Sequence, residues 1–440
     1  MNHWCHRNII LLFLLFLSFS LYPLASAHAQ SQSDETYTSA ARIPKQGETV
    51  GEKSLGLIAW PLDLVRKGLD ESLYTVEHYR LDDKAKWAYQ EMTDHGFYPK
   101  LEGLSTFGDS GPRADLDFLR AAGQAGRFPY FRAKSGVGWI PQALFRVYSE
   151  LGVEKSGETG PYGSFNFHYE QRPREDFFGI GPDTSRGDSM NYKSEATTLE
   201  TRLGYSVTPK IDLIEKFAYK NVNIRNGDDG GKGLLDRSIR GANGAEFLIL
   251  GSEITHDTRD FPSDPHKGGV ERFGFSYYDG VNHSNFRYFK YRAEIARYQE
   301  IFSDRQVLGV RFLGEHNDEF KGRGIPFFEM ARLGGYGVYP SLGDTQRGFQ
   351  RNRFYGESLL LMNLEYRYLV WQHRDFSLDA VIFWDEGQVF NEISQFEFRD
   401  FRTSVGGGFR FKILRNVLLS AEIARSSEGT QLYVATHTPF

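Results

Sequence analysis

The sequence is poor in cysteine: Cys5 is the only one among 440 residues. Because Cys5 lies in a predicted signal peptide, the mature chain would have no disulfide, no catalytic thiol and no cysteine-ligated metal. Beyond the amino-terminal region, no stretch of about 18 consecutive apolar residues occurs, so no further transmembrane helix is predicted. Charge of one sign is not in large excess either, since 52 Lys and Arg face 57 Asp and Glu, for a formal net charge of −5. We therefore expect no nucleic-acid partner.

Aromatic residues and glycine, by contrast, are abundant. The chain contains 36 Phe, 24 Tyr and 46 Gly, although hydrophobic residues make up only 40% of it. This combination is unusual for a soluble enzyme. It is typical of a transmembrane β-barrel, in which only alternate residues meet lipid and aromatic girdles mark both membrane interfaces.

The first 29 residues have the features of a secretory signal peptide. Arg7 supplies a positive charge, Ile9 to Leu17 form a nearly continuous apolar run, and Ala27 and Ala29 form a small-residue cleavage site. The alternative is a membrane-anchoring helix, but the short apolar core and the cleavage site favour removal. The predicted mature chain begins at Gln30.

Residues 30–95 differ from the rest of the chain. The segment from Ser31 to Glu52 is polar, and between Leu55 and Trp87 apolar residues recur at helical spacing. They include Ile58, Leu62, Val65, Leu69 and Leu73. We interpret this segment as one or two short helices that lie on the membrane surface or plug a barrel; a loosely attached periplasmic leader is the alternative.

From Gly96 to Phe440 the hydrophobic period becomes two, which predicts an all-β domain, a transmembrane antiparallel β-barrel of about 16 strands. The predicted strands lie near 97–106, 113–121, 126–135, 137–149, 160–171, 195–207, 211–224, 245–256, 270–279, 285–299, 305–316, 357–370, 376–389, 402–413, 416–426 and 430–440. Long connections alternate with short ones, as in outer-membrane barrels with short periplasmic turns and long external loops. A soluble β-sandwich has no reason to keep that alternation.

Charged residues stand out in the predicted strands near 357–370 and 376–389. Glu365 alternates with apolar residues on the first strand and Asp385 does so on the second. A charge that faces lipid at mid-depth is costly, so these side chains should face the lumen. The loop before them is rich in glycine and carries Arg347-Gly348-Phe349.

We predict that this loop folds into the barrel and that Arg347 pairs with Glu365 and Asp385. Arginine suits the role because its planar fork binds carboxylates in a bidentate manner and keeps its proton. The alternative is that Arg347 is a solvent-exposed loop residue.

These residues resemble the barrel domain of the bacterial surface-antigen superfamily, which includes BamA, TamA and the two-partner secretion transporters. Arg347-Gly348-Phe349 matches that family's Arg-Gly-aromatic motif, although Gln346 stands where the family usually has Val. Two strand patterns also match, Asn363-x-Glu365-x-Arg367 and Phe383-x-Asp385-x-Gly387. The resemblance implies a sixteen-strand barrel whose sixth external loop is tethered in the lumen by acidic residues. It implies a role in outer-membrane biogenesis, protein insertion or translocation, or lipid transport.

The carboxyl terminus is similar to an outer-membrane assembly signal, because Leu432 and Val434 alternate toward a terminal Phe440. We therefore expect a location in the outer membrane of a Gram-negative bacterium. The expected partners are membrane lipid and lipopolysaccharide, the barrel assembly machinery during insertion, and a periplasmic partner protein. Recognisable polypeptide-binding repeats are missing from residues 30–95, which argues against a stand-alone assembly machine.

Three other functions were weighed. A passive or gated pore for small solutes fits a barrel of this width. A membrane-embedded hydrolase could use His283 and Ser284, but adjacent residues on a strand point to opposite faces. A metal site could draw on His256, Asp257, Asp260, Asp264 and His266, which are also ordinary turn residues. We predict no catalytic site, no cofactor and no metal.

Overall fold

The computed structural model describes residues 97–102, 113–121, 130–140, 144–155, 157–227, 239–336 and 346–440, apart from positions 393, 395, 398, 399, 414, 436, 437 and 439. The predicted signal peptide and the helical segment at 30–95 lie outside the described residues. The chain divides into two units, residues 1–100 and 101–440. No helix in the described residues is long and apolar enough to cross a membrane.

The described residues form an all-β fold with eighteen strands. They are β1 (Phe97–Glu102), β2 (Arg113–Ala121), β3 (Tyr130–Ile140), β4 (Leu144–Glu154), β5 (Gly160–Phe177), β6 (Met190–Thr208), β7 (Ile211–Asn226), β8 (Ala245–Asp257), β9 (Gly268–Gly280), β10 (Arg287–Ile301), β11 (Ser303–Glu319), β12 (Ala331–Leu333), β13 (Phe354–Gly356), β14 (Ser358–His373), β15 (Phe376–Phe390), β16 (Arg402–Ile413), β17 (Asn416–Ser426) and β18 (Gly429–Ala435). Sixteen of them correspond to the predicted strands. The other two, β12 and β13, form a short hairpin within the β11–β14 loop.

The second unit is one large antiparallel sheet that keeps chain order from β2 to β11 and continues from β14 to β18. Every pairing between neighbours along this order is antiparallel. The sheet curls so that distant strands meet: Lys412 on β16 contacts Asp264 in the β8–β9 turn. The predicted transmembrane antiparallel β-barrel is therefore confirmed.

The two faces of the strands alternate as a membrane barrel requires. On β14, Leu359, Leu361 and Glu365 are buried inside, whereas Leu360 and Tyr368 are 36% and 38% exposed on the opposite face. The outward face of β15 includes Ile382, which is 62% exposed. On these two strands, apolar side chains dominate the outward face, and the charged side chains of Glu365 and Asp385 are buried on the inward face.

The two ends of the sheet differ in their connections. Short turns at Pro209–Lys210, Phe302 and Arg374–Asp375 mark one end, which we call the short-turn end. The opposite, long-loop end carries the connections at 178–189, 227–244, 320–357 and 391–401. One longer connection, at 258–267 between β8 and β9, also belongs to the short-turn end.

The predicted boundaries of the strands near 126–149 and 160–171 were wrong. The turn predicted around Gly136 lies inside β3, where Gly136 pairs with Tyr148. Strand β5 runs on to Phe177 because a bulge between Arg172 and Glu175 accommodates Pro173. The last strand is described as far as Ala435, and positions 436, 437 and 439 of the predicted strand 430–440 lie outside the described residues.

Candidate functional site

The described parts of the β11–β14 loop, residues 320–336 and 346–357, occupy the lumen at the long-loop end. Their apolar side chains are buried, including those of Ile325, Phe327, Phe328, Met330, Leu333, Phe349, Phe354 and Tyr355. A chain segment with this composition folds inward because the lumen is where it can bury the side chains away from water.

One aromatic cluster packs the start of the loop against the barrel wall. The Phe327 ring lies 4.9 Å from Phe177 of β5 and 5.1 Å from Tyr192 of β6, centroid to centroid. Tyr355 completes the cluster at 5.0 Å from Phe177. A second cluster packs the rest of the loop, with Leu333, Phe349 and Phe354 against inward-facing residues of β11, β14 and β15.

The side chain of Arg347 lies at the centre of a buried ionic network. Its Nε donates to Oδ2 of Asp385 at 2.8 Å and its Nη2 donates to Oδ1 at 2.7 Å, so the pair is bidentate. The backbone N–H of Arg347 also donates to Asp385, at 3.1 Å. Its Nη1 donates to Glu365 at 3.1 Å and to Glu422 at 3.0 Å. One guanidinium therefore joins carboxylates from three strands, β14, β15 and β17.

Two further arginines complete the network. Arg410 of β16 donates to both oxygens of Glu365, at 2.6 and 2.7 Å, and to Glu422 at 2.7 Å. Arg367 donates to Glu365 at 2.6 Å. Three arginines thus balance three carboxylates, all at most 3% exposed. Such balance is needed because an unpaired buried charge is strongly destabilising.

Non-ionic contacts fix the orientation of the Arg347 guanidinium. Its Cζ lies 3.4 Å from the centroid of the Phe383 ring, a stacked arrangement that arginine favours on aromatic faces. Asn363 donates to Asp385 at 2.9 Å and holds that carboxylate from the other side.

The backbone after Arg347 is bound to the last two strands. Gly348 has a φ of 88°, and a side chain there would bring a Cβ within 2.9 Å of the Ser404 Cβ. Its N–H donates to the Tyr433 hydroxyl at 2.9 Å, and its carbonyl accepts from Ser426 at 2.7 Å. The Tyr433 hydroxyl donates in turn to the Phe349 carbonyl at 3.1 Å. Glycine is required here by both conformation and space.

Two further arginines of the loop bind the β17–β18 turn, the β5–β6 loop and strand β5. Arg353 pairs with Glu428 in the β17–β18 turn at 2.8 Å and donates to the Thr184 hydroxyl in the β5–β6 loop at 2.8 Å. Arg351 forms an ion pair with Glu175 of β5. The loop is therefore held across the whole width of the lumen.

The structure thus brings together Arg347, Glu365 and Asp385, the three charges singled out in the sequence, with Gly348 and Phe349 beside them. Sequence reasoning missed Glu422, Arg410, Arg367 and Tyr433 as members of this site. The alternation that identified Glu365 also placed Arg367 and Glu422 on inward faces. That signal could have found them, but it does not say which inward charges meet.

The carboxyl-terminal residues point in different directions. Leu432 lies on the outward face and is 49% exposed, whereas Tyr433 faces the lumen. Phe440 does not extend the outward row: its ring stacks 6.2 Å from that of Tyr298, beside Val270, Ala296 and Val307. The assembly role of Leu432, Val434 and Phe440 acts before the barrel is folded and remains a prediction.

Residues weighed for other functions have structural partners. His283 and Ser284 lie in the β9–β10 turn and not on a strand, and the Ser284 hydroxyl accepts from the Glu246 N–H at 2.7 Å. Asp257 pairs with Arg259 at 2.6 Å. Among the described residues, no three His, Cys, Asp or Glu side chains are arranged to hold a metal ion.

The β8–β9 turn builds a second ionic network across the short-turn end. Asp264 contacts Lys412 at 2.6 Å, and Asp260 contacts Arg415 at 2.9 Å. Burial raises the pKa of Asp264, but its hydrogen bond to His266 and the charges of Lys412 and Arg367 outweigh this and hold the pKa well below its usual range. Burial also raises the pKa of Asp260, yet hydrogen bonds from Arg415 and two backbone N–H groups lower it to about 2.

Comparison with known proteins agrees with this architecture. The Omp85 superfamily domain matches residues 157–413, and no curated protein matches the sequence. The fold is similar to that of BamA from Haemophilus ducreyi lacking POTRA domains 1–3, with a TM-score of 0.54 and 12% identity over 80% of this chain and 77% of that one.

Two CdiB structures give lower scores. CdiB from Acinetobacter baumannii has a TM-score of 0.46 and 11% identity over 78% of this chain and 60% of that one. CdiB from Escherichia coli has a TM-score of 0.47 and 14% identity over 77% and 62%. Because the superfamily domain matches more than half of the chain, this protein belongs to the Omp85 superfamily of outer-membrane β-barrels.

Proposed function

We propose that this protein inserts or translocates polypeptides at the outer membrane, and that its β11–β14 loop is a tethered lumen plug. The observation that carries the proposal is the buried network of Arg347, Glu365, Asp385 and Glu422, which locks a long loop inside the barrel. A barrel whose lumen is filled in this way is poorly suited to free diffusion of solutes.

The edge of the sheet offers support for a role in handling strands. β18 is the last strand in the order of the sheet, and its described pairing with β17 joins Gly429–Ala435 to Ser420–Ser426. A strand at the end of a sheet offers backbone N–H and C=O groups that another chain can pair with.

The direct test is the folding of a urea-denatured outer-membrane protein into vesicles, followed by protease resistance or heat-modifiable gel mobility. We expect vesicles that contain this protein to accelerate folding over empty vesicles, and the Arg347→Ala variant to lose most of that acceleration. Vesicles that carry an unrelated barrel of similar size are the control for membrane disturbance. Equal folding rates in empty vesicles, in vesicles with the natural protein and in vesicles with the unrelated barrel would contradict the proposed function.

Conductance in planar bilayers tests the plug separately. We expect small, fluctuating currents from the natural protein and larger ones from Arg347→Ala. A large and steady conductance from the natural protein would favour the passive pore.

The proposal includes the route to the membrane and the partners. Cleavage after Ala29 would leave Gln30 as the mature amino terminus, which amino-terminal sequencing of the membrane-inserted protein would detect. Phe440, with Leu432 and Val434, would be read by the barrel assembly machinery, so deletion of Phe440 should slow insertion. Lipid and lipopolysaccharide would surround the barrel, and a periplasmic protein would supply the polypeptide-binding repeats missing from residues 30–95.

A further inference from the structure

A small pocket lies in the lumen at the short-turn end. Its volume is about 180 Å³, below the roughly 300–1,000 Å³ typical of sites for drug-sized ligands. Six charged side chains line it: Arg305, Arg367, Lys412 and Arg415, with Asp264 and Asp379. Glu365 and Asp260, which pair with Arg367 and Arg415, offset part of the positive charge from the pocket's periphery.

Three of these side chains have a buried atom without a hydrogen-bond partner, namely Arg415 at its Nε and the nearly fully buried Arg367 and Asp379. Arg367 uses Nε on Glu365 and Nη1 on the Pro265 carbonyl, but its Nη2 has no hydrogen-bond partner. Asp379 uses Oδ2 on Lys412 at 2.6 Å, but its Oδ1 has none. The two residues are 2% and 4% exposed. A buried donor and a buried acceptor without partners are unfavourable, so a bound group that reached both atoms would gain free energy from each.

The donor and the acceptor together restrict the chemistry of that group. The Arg367 Nη2 and the cations around it suit an oxyanion. A simple oxyanion, however, would leave Asp379 Oδ1 unsatisfied and would meet its negative charge. A phosphodiester joined to a primary ammonium supplies an oxyanion for Arg367 and N–H donors for Asp379 within a few heavy atoms.

We propose that this pocket binds a phosphoethanolamine group. The group comes either from a phospholipid or from a soluble glycerophosphodiester, and Gln372 and Ser377, on either side of the β14–β15 turn, also line the pocket. This site is independent of the polypeptide-handling role proposed for the barrel.

The test is calorimetric titration of the refolded full chain, in a maltoside detergent, with glycerophosphoethanolamine and glycerophosphocholine. The two probes share the phosphodiester, but the quaternary ammonium of the second has no N–H donor. We expect glycerophosphoethanolamine to bind at least tenfold more tightly. Equal binding of the two probes, no binding of either, or equally tight binding of inorganic phosphate would overturn the proposal.

Two variants locate the binding in the pocket. Asp379→Asn should abolish the preference between the two probes, and Lys412 still has Asp264 as a partner in this variant. Arg415→Gln should weaken both probes. Matched controls are Asp279→Asn and Arg287→Gln, which alter a pair of 2.6 Å at the long-loop end and should leave binding unchanged. Heat-modifiable gel mobility checks that each variant is folded, and a preference that survives Asp379→Asn would contradict the assignment.

The source of the group is decided in bilayers of equal parts phosphatidylethanolamine and phosphatidylcholine. Native mass spectrometry after detergent extraction should show phosphatidylethanolamine retained by the natural protein and lost from Asp379→Asn if the source is lipid. Binding of the soluble probe without such retention assigns the pocket to a soluble glycerophosphodiester. Competition by a peptide with a free terminal carboxylate, without preference between the two glycerophosphodiesters, would assign the pocket to a polypeptide end and overturn the proposal.

Discussion

Two of the networks of charged side chains in the barrel, one around Arg347 and one around Asp264, differ in completeness. In the network around Arg347, the guanidiniums of Arg347 and Arg410 and the carboxylates of Glu365, Asp385 and Glu422 are fully hydrogen-bonded and almost entirely buried. The network around Asp264 borders an open pocket and leaves atoms of Arg367 and Asp379 without partners.

This difference separates a tether from a binding site. A closed network of buried charges can only lose stability when a member is removed, because the remaining charges lose their compensation. A network with spare donors and acceptors has room to gain an interaction. Arg367 belongs to both networks, because it forms ion pairs with Glu365 in the first and with Asp264 in the second.

The largest expected loss of stability comes from removing Arg347 from the buried network around it. Arg347→Ala removes one of three arginines and leaves three buried carboxylates with two, so the free energy of unfolding should fall by about 3–5 kcal/mol. Urea titration in detergent micelles, followed by tryptophan fluorescence, would measure the loss. The control is Arg323→Ala, an exposed arginine of the same loop, which should change stability by less than about 0.5 kcal/mol. Equal losses of unfolding free energy in the two variants would mean that the ionic contacts of Arg347 do not stabilise the fold.

A medium effect is expected where the tether's backbone approaches β16. Gly348→Ala places a side chain at a φ of 88° and 2.9 Å from Ser404 Cβ, which should cost about 1–3 kcal/mol. Gly322→Ala is a matched control in the same loop, because its φ is 70° but no atom lies within 4 Å of the added Cβ. The difference between the two variants in the same unfolding experiment isolates the close approach. A smaller effect at Gly348 than at Gly322 would contradict the tight contact.

The network around Asp264 should make the stability of the fold sensitive to acid. The folded-state pKa values of Asp264 and Asp260 lie below the ordinary aspartate value of 3.8. Their stabilisation is therefore fully present above about pH 4 and is lost as pH falls through the folded-state values. The loss for Asp260 should be on the order of 1 kcal/mol, because its pair with Arg415 is partly screened by solvent.

Unfolding midpoints of Asp260→Asn and Asp264→Asn between pH 5 and pH 2 would measure this loss. Each variant should be less stable than the natural protein at pH 5, and the difference should shrink as the pH falls. A difference that stays constant with pH would show that the carboxylate charges contribute nothing.

The smallest effect is expected at the rim, outside both networks. Arg240 and Glu319 form a pair of 3.0 Å, but their side chains are 55% and 36% exposed. Arg240→Ala should cost about 0.2–1 kcal/mol, and added salt should reduce that cost further. A loss as large as that of Arg347→Ala would mean that burial does not distinguish the networks from the rim.

Alternation of side chains explains why so much of the fold was predictable. The predicted bounds of β16 and β17 agree with the structure to the residue. The bounds of β3 were wrong because glycine signals both turns and barrel strands. The β12–β13 hairpin was missed because strands of three residues are too short to show a period.

The candidate site was predictable only in part. A charged residue on an otherwise apolar strand is expected to face inward, and this expectation identified Glu365 and Asp385. Which charges meet across the lumen depends on the curl of the sheet and on the path of the β11–β14 loop. Asp264 pairs with Lys412, which lies 148 residues later in the sequence, and no local sequence pattern predicts a pair with that separation.

The sequence by itself determined the class of the protein and the face of each strand. It did so because the period of two and the cost of a charge in lipid are local properties of the chain. Only the tertiary structure decided that Glu422 and Arg410 share the Arg347 network, that Phe440 turns into the lumen, and that Asp379 keeps a free acceptor in a pocket. Those outcomes depend on how the sheet closes and what each inward side chain then meets, and that is a property of the whole barrel.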